Sequence, residues 1–297
     1  MLLTLNSQGY TVSIETIGAE LKSYKNKDGK EYIWNSNPEF WARSSPLLFP
    51  SIGNVRNGKT MIDGKEYELC KHGFVKDMEM EYEREGENKV SFSCAATEET
   101  LKSYPFRFNL RLTYELNGPT LCMDYVVANT DNKDIYYHLG AHPGFSCPLE
   151  ENEKFSDYIL KFPYAETCDS PVYDLTNLHF DPVNTKRHLD NSDTIRLDYS
   201  LFDSDALVFS HLKSKSVQLI NPATGKGIQM DYPGFSTIAF WTPAKVQAPF
   251  LCLEPWNGGA IFADEDNEFA HKRDIQTLAK QESKSHGLVI RLLGEPD

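Results

Sequence analysis

Short stretches in which hydrophobic and polar residues alternate recur along most of the chain. Alternation of this kind occupies residues 11–15, 90–94, 110–114 and 228–232. Because successive side chains of a β-strand point to opposite faces, a period of two predicts strands with one buried face. Asp63-Gly64 and Asn117-Gly118 stand between such segments, and these dipeptides supply the positive φ that tight hairpins require. The pattern therefore predicts antiparallel strands joined by hairpins.

Helical patterns are few and short by comparison. Candidate helices cover residues 97–104, 37–41 and 274–279, and the polar stretch 169–196 is predicted to be an irregular excursion from the sheets. Many short strands with few helices cannot build a βαβ fold. We therefore predict an all-β fold, a single antiparallel β-sandwich domain that spans residues 1–297.

Composition and charge narrow the classes of partner. The chain has 297 residues, of which 40% are hydrophobic, and this is ample material for a core. Its formal net charge of −13 argues against nucleic acid and against an anionic membrane, since both bind through clustered Lys and Arg. No stretch approaches the roughly 20 apolar residues of a membrane span, and the first residues lack the pattern of a signal peptide.

The cysteines and the known cofactor motifs add mainly negative information. Six cysteines are scattered without a CxxC pair or a zinc-like spacing, which favours a cytoplasmic protein with reduced thiols. Asp203 and Asp205 give only an incomplete calcium loop. Gly-rich phosphate loops, HExxH and GxSxG do not occur in the sequence. We predict no metal and no cofactor, and the sequence leaves a monomer and a homodimer equally open.

Two short motifs place a titratable side chain directly before a proline, His142-Pro143 and Glu254-Pro255. Proline cannot donate to a sheet ladder and biases the preceding residue toward an extended backbone. We therefore expect His142 and Glu254 each to lie where a strand stops. Glu254 follows an apolar run, and partial burial would raise its pKa toward the range of a general base. The pattern indicates an acid/base pair in a pocket of the size of a sugar.

Three further residues are candidates for substrate contacts, and each also has an ordinary structural explanation. His72 precedes Gly73, which permits a turn, so its imidazole could donate to a sugar hydroxyl or be a hydrogen-bonded structural histidine. Arg43 could bind hydroxyls or pair with one of the many acids. Trp256 could stack on a sugar ring or fill the core.

These motifs together resemble those of the aldose 1-epimerase (galactose mutarotase-like) family, and in particular its lactose-operon-associated branch. The matching segments run in order along almost the whole chain: Gly18-Ala19-Glu20-Leu21, Arg43-Ser44-Ser45-Pro46-Leu47-Leu48-Phe49-Pro50, His72-Gly73-Phe74, Asn129-Thr130, His142-Pro143-Gly144-Phe145, Asp203-Ser204-Asp205-Ala206-Leu207 and Glu254-Pro255-Trp256. The resemblance implies a β-super-sandwich and a cofactor-free reaction on a cyclic aldose. By analogy, His142 protonates the ring oxygen and Glu254 takes the proton of the anomeric hydroxyl. His72, Arg43 and Asp205 then bind the sugar.

The chain departs from the family pattern at two places that bear on the substrate. Related hexose-6-phosphate mutarotases have arginine after the HGF-type motif, whereas this chain has Val75-Lys76. Many members carry a sugar-binding arginine after the Ile-Gly pair, whereas this chain has Asn54, and Arg56 or Arg43 is then the available substitute.

Three hypotheses for the function follow: a mutarotase of a free aldohexose, a mutarotase of a hexose 6-phosphate, and a non-catalytic carbohydrate-binding protein. The second needs a basic cluster, for which the candidates are Arg43, Arg56, Lys71 and Lys76.

Overall fold

The computed structural model of the protein describes residues 1–295 and consists mainly of strands. The strands are β1 (Leu2–Ser7), β2 (Tyr10–Glu15), β3 (Leu21–Lys25), β4 (Leu47–Leu48), β5 (Lys59–Ile62), β6 (Lys65–Glu68), β7 (Glu81–Glu85), β8 (Lys89–Ala95), β9 (Phe108–Asn117), β10 (Thr120–Asn129), β11 (Ile135–Tyr137), β12 (Leu139–Ala141), β13 (Gly144–Ser146), β14 (Ile159–Asp174), β15 (His179–Arg196), β16 (Leu207–Ser210), β17 (Ser216–Ile220), β18 (Gly227–Asp231), β19 (Thr237–Trp241), β20 (Phe250–Asn257), β21 (Gln276–Leu278) and β22 (Ser283–Leu293). The helices are α1 (Thr100–Ser103) and the 3₁₀ turns Arg56–Gly58, Val75–Asp77, Phe155–Asp157, Tyr199–Phe202 and Phe269–His271.

Two large sheets form the framework. A nine-stranded sheet has the order β15-β14-β17-β18-β22-β10-β9-β8-β7, and a six-stranded sheet has the order β16-β19-β20-β12-β4 with β13 also on β20. The strand pairs of both sheets are antiparallel. The prediction of an all-β antiparallel fold with few short helices is confirmed.

The alternating segments of the sequence fall within strands, as predicted. Residues 11–15 lie in β2, 90–94 in β8 and 110–114 in β9, and β18 contains most of 228–232. In β9 the buried Phe108, Leu110 and Leu112 alternate with exposed side chains, so this strand has one face on the core. The Asn117-Gly118 turn joins β9 to β10, and Gly118 has the positive φ of 56° that such a hairpin requires.

Other parts of the prediction were wrong. Residues 274–279 contain strand β21, which pairs with β11, so tertiary pairing overrides the helical pattern. Residues 37–41 form a turn, and only the short α1 lies within 97–104.

The polar stretch 169–196, predicted to be irregular, belongs to the long antiparallel ribbon of β14 and β15. Register shifts interrupt this ribbon at several points. Strand β15 forms an edge of the nine-stranded sheet. An edge strand is largely solvated, so its side chains need not be apolar.

Strand β20 is buried at all eight of its residues, and the shorter strands β4 and β12 are likewise buried throughout. Strand β20 pairs with β19 on one side and with both β12 and β13 on the other. The strand thereby carries its side chains into the centre of the six-stranded sheet. Among residues 1–295, none of the helices is long and apolar enough to cross a membrane.

Candidate active site

A break in the strand beside β20 brings His142 opposite Glu254. On one side of the break Gly140 pairs with Trp256, and on the other Gly144 pairs with Cys252. The two residue numbers of each pair add to the same sum, so the register does not shift across the break. The same sum places His142 directly across from Glu254, where side chains of neighbouring strands meet.

The two prolines occupy the positions that flank this pair. Leu253 donates its backbone N–H to the carbonyl of Pro143 at 3.1 Å, and Pro143 has no N–H to return. Pro255 falls where β12 and β13 are interrupted, so its missing N–H removes no bond from a continuous ladder. His142 therefore lies where a strand stops, as predicted. The same expectation for Glu254 was wrong, because β20 continues through Pro255 to Asn257.

The two side chains are in contact and nearly sealed from solvent. His142 Nε2 lies 3.2 Å from Glu254 Oε2, and the side chains are 8% and 1% exposed. A ligand bound at this pair could therefore lie within proton-transfer distance of both side chains.

The pair faces a cavity of about 440 Å³, within the size range of small-molecule sites. Its lining is Phe40, Trp41, Arg43, Pro46, Gly53, Lys71, His72, Lys76, His142, Tyr173, Phe180, Asp205, Ala206, Trp241, Pro243, Glu254, Trp256 and Ala260. The six residues predicted as catalytic or substrate-binding all line this one cavity. They come from segments far apart in sequence that only the tertiary fold brings together.

Aromatic rings hold the His142 imidazole in place. The Trp41 ring stacks on it with centroids 4.8 Å apart, and the Trp241 ring meets it edge-on at 5.6 Å. His72 also lies edge-on to it at 5.6 Å. Trp41 and Trp241 were not among the predicted site residues, since Trp41 was assigned only to a candidate helix and Trp241 belongs to no functional motif.

His72 is held by a turn that requires an unusual backbone. His72 and Gly73 have φ angles of 65° and 69°. A Cβ on Gly73 would lie 2.0 Å from the carbonyl oxygen of Phe49, so glycine is required for this close approach. The backbone N–H of Gly53 donates to His72 Nδ1 at 3.1 Å. A neutral imidazole whose Nδ1 accepts carries its proton on Nε2, so His72 is a donor.

Burial shifts the two members of the pair in opposite directions. It raises the pKa of the Glu254 carboxyl well above its usual range, and Asp205 adds to the rise while Lys71 opposes it. Burial lowers the pKa of His142 to about 3, with a further contribution from the Lys71 charge. Desolvation disfavours the charged form of each group, so both pKa shifts favour the uncharged side chain.

The other predicted residues that line the cavity differ in their burial and in their hydrogen bonds. Burial raises the pKa of Asp205, and Lys71 opposes the rise. Trp256 lies two residues after Glu254 on β20 and is buried. Arg43 donates from Nη1 to Glu20 at 3.3 Å and to the Lys76 carbonyl at 3.1 Å, and from Nη2 to Asp77.

Asn54 and Arg56 do not line this cavity. Both line a separate cavity of about 360 Å³, where Arg56 Nη2 donates to backbone carbonyls of residues 262–265. The Asn54 amide donates to the Tyr173 hydroxyl at 3.3 Å, and Tyr173 does line the first cavity. Of the four cations considered for an anionic substrate, the structure thus brings Arg43, Lys71 and Lys76 to the His142 cavity.

One set of potential metal ligands lies at the pair itself. Ligand atoms of His142, Cys252 and Glu254 are all within 4.8 Å of one another. Burial raises the pKa of the Cys252 thiol well above its usual range, and the neighbouring Glu254 adds to this. A metal needs the thiolate, so this donor set in its favoured protonation state suits proton transfer better than metal binding.

Comparison with known proteins agrees with this geometry. The family model described as Aldose 1-epimerase matches residues 1–275. Protein LacX (plasmid) of Lactococcus lactis subsp. lactis is 35% identical over 300 residues, which cover 99% of this chain and 100% of that protein.

Two solved structures share the fold over nearly their whole length. A galactose mutarotase related enzyme from Lactobacillus acidophilus has a TM-score of 0.91 at 27% identity, covering 98% of this chain and 97% of that one. A galactose mutarotase-like protein from Lactobacillus casei has a TM-score of 0.88 at 28% identity, covering 98% and 100% of the two chains. With the family model matching most of its length, the chain belongs to the aldose 1-epimerase family.

Proposed function

We propose that the protein is a mutarotase that interconverts the α and β anomers of a free aldohexose. The observation that carries this proposal is the contact between His142 Nε2 and Glu254 Oε2, 3.2 Å apart at the wall of a cavity of about 440 Å³. The reaction needs one group that gives a proton and one that takes a proton at two neighbouring oxygens. A buried imidazole and a buried carboxyl in contact meet that need without a further reactant.

In the proposed reaction, protonated His142 gives its proton to the ring oxygen while ionised Glu254 takes the proton of the anomeric hydroxyl. The bond between C1 and the ring oxygen breaks, and the anomeric C–O bond becomes a carbonyl. Rotation about C1–C2 presents the other face of the aldehyde. The hydroxyl formed from the ring oxygen then attacks C1, both protons return, and the opposite anomer forms with the two side chains restored.

Burial helps the opening step, because that step leaves both side chains uncharged. His142 ends as neutral imidazole and Glu254 as carboxylic acid, the forms toward which burial shifts their pKa values. The site therefore favours proton transfer to the sugar over retention of a separated charge pair.

The remaining cavity residues are assigned to sugar binding. His72 would donate from Nε2 toward the ring oxygen or a hydroxyl, and Asp205 would accept from hydroxyls. Trp256 would offer an apolar face to the ring. Arg43 uses three of its five N–H groups on protein acceptors, which leaves two for a hydroxyl.

The charge balance of the cavity favours a free aldose over a phosphorylated one. Arg43 and Lys76 are both paired with Asp77, so they offer little spare charge to a phosphate. Two carboxyl groups, Asp205 and Glu254, line the same cavity. A phosphate dianion would have to compete with both for Lys71.

The test is anomer exchange followed by NMR and by polarimetry on α-D-glucose, α-D-galactose and glucose 6-phosphate. Wild-type protein should accelerate equilibration of a free aldose, and Glu254→Gln should lower the catalysed rate by about 10²–10⁴-fold with an unchanged fold. His142→Asn should behave similarly. If sugars bind but equilibrate only at the spontaneous rate, the protein is a carbohydrate binder and the proposal fails.

A further inference from the structure

Lys71 is the one cation at the cavity wall whose charge has no partner within residues 1–295. Arg43 pairs with Glu20 and Asp77. The Lys76 ammonium donates to Asp77 and, at 2.9 Å, to the Gly73 carbonyl. The Lys71 ammonium makes neither a salt bridge nor a hydrogen bond in the described part of the chain, although it lines the cavity. Its charge is therefore available to the site.

The groups that share the cavity with Lys71 are the two carboxyls and the two imidazoles of the site. Glu254 and Asp205 supply the carboxyls, and His72 and His142 supply the imidazoles. The Lys71 charge lowers the pKa of each of the four. Arg43 and Lys76 are both ion-paired, so Lys71 is the cation on this wall that has no carboxylate partner in residues 1–295.

Chain geometry explains why this lysine reaches the site. Lys71 directly precedes His72 and Gly73, whose positive φ angles turn the chain at the cavity wall. The hydrogen bonds between this turn and Gly53 fix the turn from both directions, because His72 N–H donates to the Gly53 carbonyl and Gly53 N–H donates to His72 Nδ1. The side chain of Lys71 itself is exposed, so it is not needed for core packing.

We propose that Lys71 is a positioning residue of the acid–base site, whose unpaired ammonium at the cavity wall stabilises the carboxylate form of Glu254 rather than anchoring an anionic group of the substrate. The inference rests on the proposed mutarotase function. It adds a third charged group that acts through the pair without taking part in proton transfer. Glu254 must accept a proton beside a second acid, the partly buried Asp205, and an unpaired ammonium on the same cavity wall stabilises its carboxylate form.

The test compares the pH dependence of kcat/KM for α-D-glucose or α-D-galactose in wild type, Lys71→Gln and Lys71→Arg. Loss of the cation should raise the pKa of both Glu254 and His142. Both limbs of the bell-shaped profile should therefore move to higher pH in the Gln variant, by about one unit, with a loss of about tenfold on the acid side. The Arg variant should restore the wild-type profile. Lys280→Gln controls for the change in net charge, because Lys280 is exposed and has no side-chain ion pair in residues 1–295.

Two results would overturn the inference. A Lys71→Gln profile that is lower but unshifted would mean that Lys71 acts only structurally. A raised KM for glucose 6-phosphate with an unchanged profile for the free sugar would mean that Lys71 anchors an anionic substrate.

A second measurement keeps the inference testable even if no substrate is turned over. The Glu254 carboxyl can be titrated by ¹³C NMR in wild type and in Lys71→Gln. The midpoint should be higher in the variant, and equal midpoints would refute the role of Lys71. Failure of the mutarotase proposal would instead appear as absence of catalysed exchange in the wild type, with the titration difference still present.

Discussion

Single residues at the site are held in an environment that costs folding energy. Glu254 is 1% exposed, and the pKa of its carboxyl is raised by burial and by Asp205. An acid whose pKa is raised in the folded state binds its proton more tightly there than in the unfolded chain. Folding stability therefore falls as the pH rises above the ordinary pKa of glutamate.

Replacing this carboxyl should make the protein more stable while it removes activity. We expect Glu254→Gln to increase the free energy of unfolding at pH 7.5 by about 1 kcal/mol or more, since each pKa unit corresponds to about 1.4 kcal/mol. Urea unfolding followed by tryptophan fluorescence measures the change.

Glu166 provides the matched control. It is also buried, but its carboxylate accepts from the Ser214 N–H at 2.7 Å, so Glu166→Gln should be destabilising. Equal destabilisation of both variants would show that burial of the Glu254 carboxyl does not lower the stability of the fold.

At the scale of elements, the sequence revealed those site residues whose signal lies in their own segment of the chain. Prolines after His142 and Glu254, and the glycine after His72, are local signals, and these three residues were found from them. Asp205 was assigned to the sugar only through the family resemblance. Trp41 and Trp241 were missed, because their ring contacts with the His142 imidazole join segments that meet only in the folded protein. That β20 continues through Pro255 was missed for the same reason, since the interruption of its neighbours is not visible in its own sequence.

The turn at His72 gives an element-scale prediction with a matched control. Gly73 and Gly64 have nearly equal φ angles of 69° and 73°, but only Gly73 has backbone atoms where a Cβ would lie. Gly64→Ala should cost only the strain of a positive φ, about 1–2 kcal/mol. Gly73→Ala should cost clearly more and should lower mutarotase activity, because the Phe49 carbonyl must move and His72 with it.

Thermal unfolding together with anomer exchange on both variants tests this prediction. Equal losses of stability in the two variants, or an unchanged activity in Gly73→Ala, would contradict it.

At the scale of the whole molecule, buried histidines are expected to limit stability in acid. Burial lowers the pKa of His138 to about 3, as it does for His142. Between about pH 6.5 and 3 the unfolded chain binds a proton at each of these positions and the folded chain does not. Stability is therefore highest above the ordinary histidine pKa and falls on acidification, by up to about 1.4 kcal/mol per pH unit for each histidine.

His138→Phe separates this effect from the site, since His138 does not line the cavity. The variant should lose less stability than wild type between pH 7 and pH 5, which urea unfolding at each pH measures. An unchanged dependence of stability on pH would show that His138 does not stay neutral in the folded protein.

The prediction of one domain over residues 1–297 stays a prediction.

The unshifted register on both sides of His142 makes the site intolerant of changes in chain length. Substitutions elsewhere can tilt a ring or alter a charge, but the Gly140–Trp256 and Gly144–Cys252 pairs keep the acid and the base facing each other. Deleting or inserting one residue between these pairs would turn His142 to the opposite face of its strand. Relatives that keep the chemistry should therefore vary freely in the residues around this segment and conserve its length.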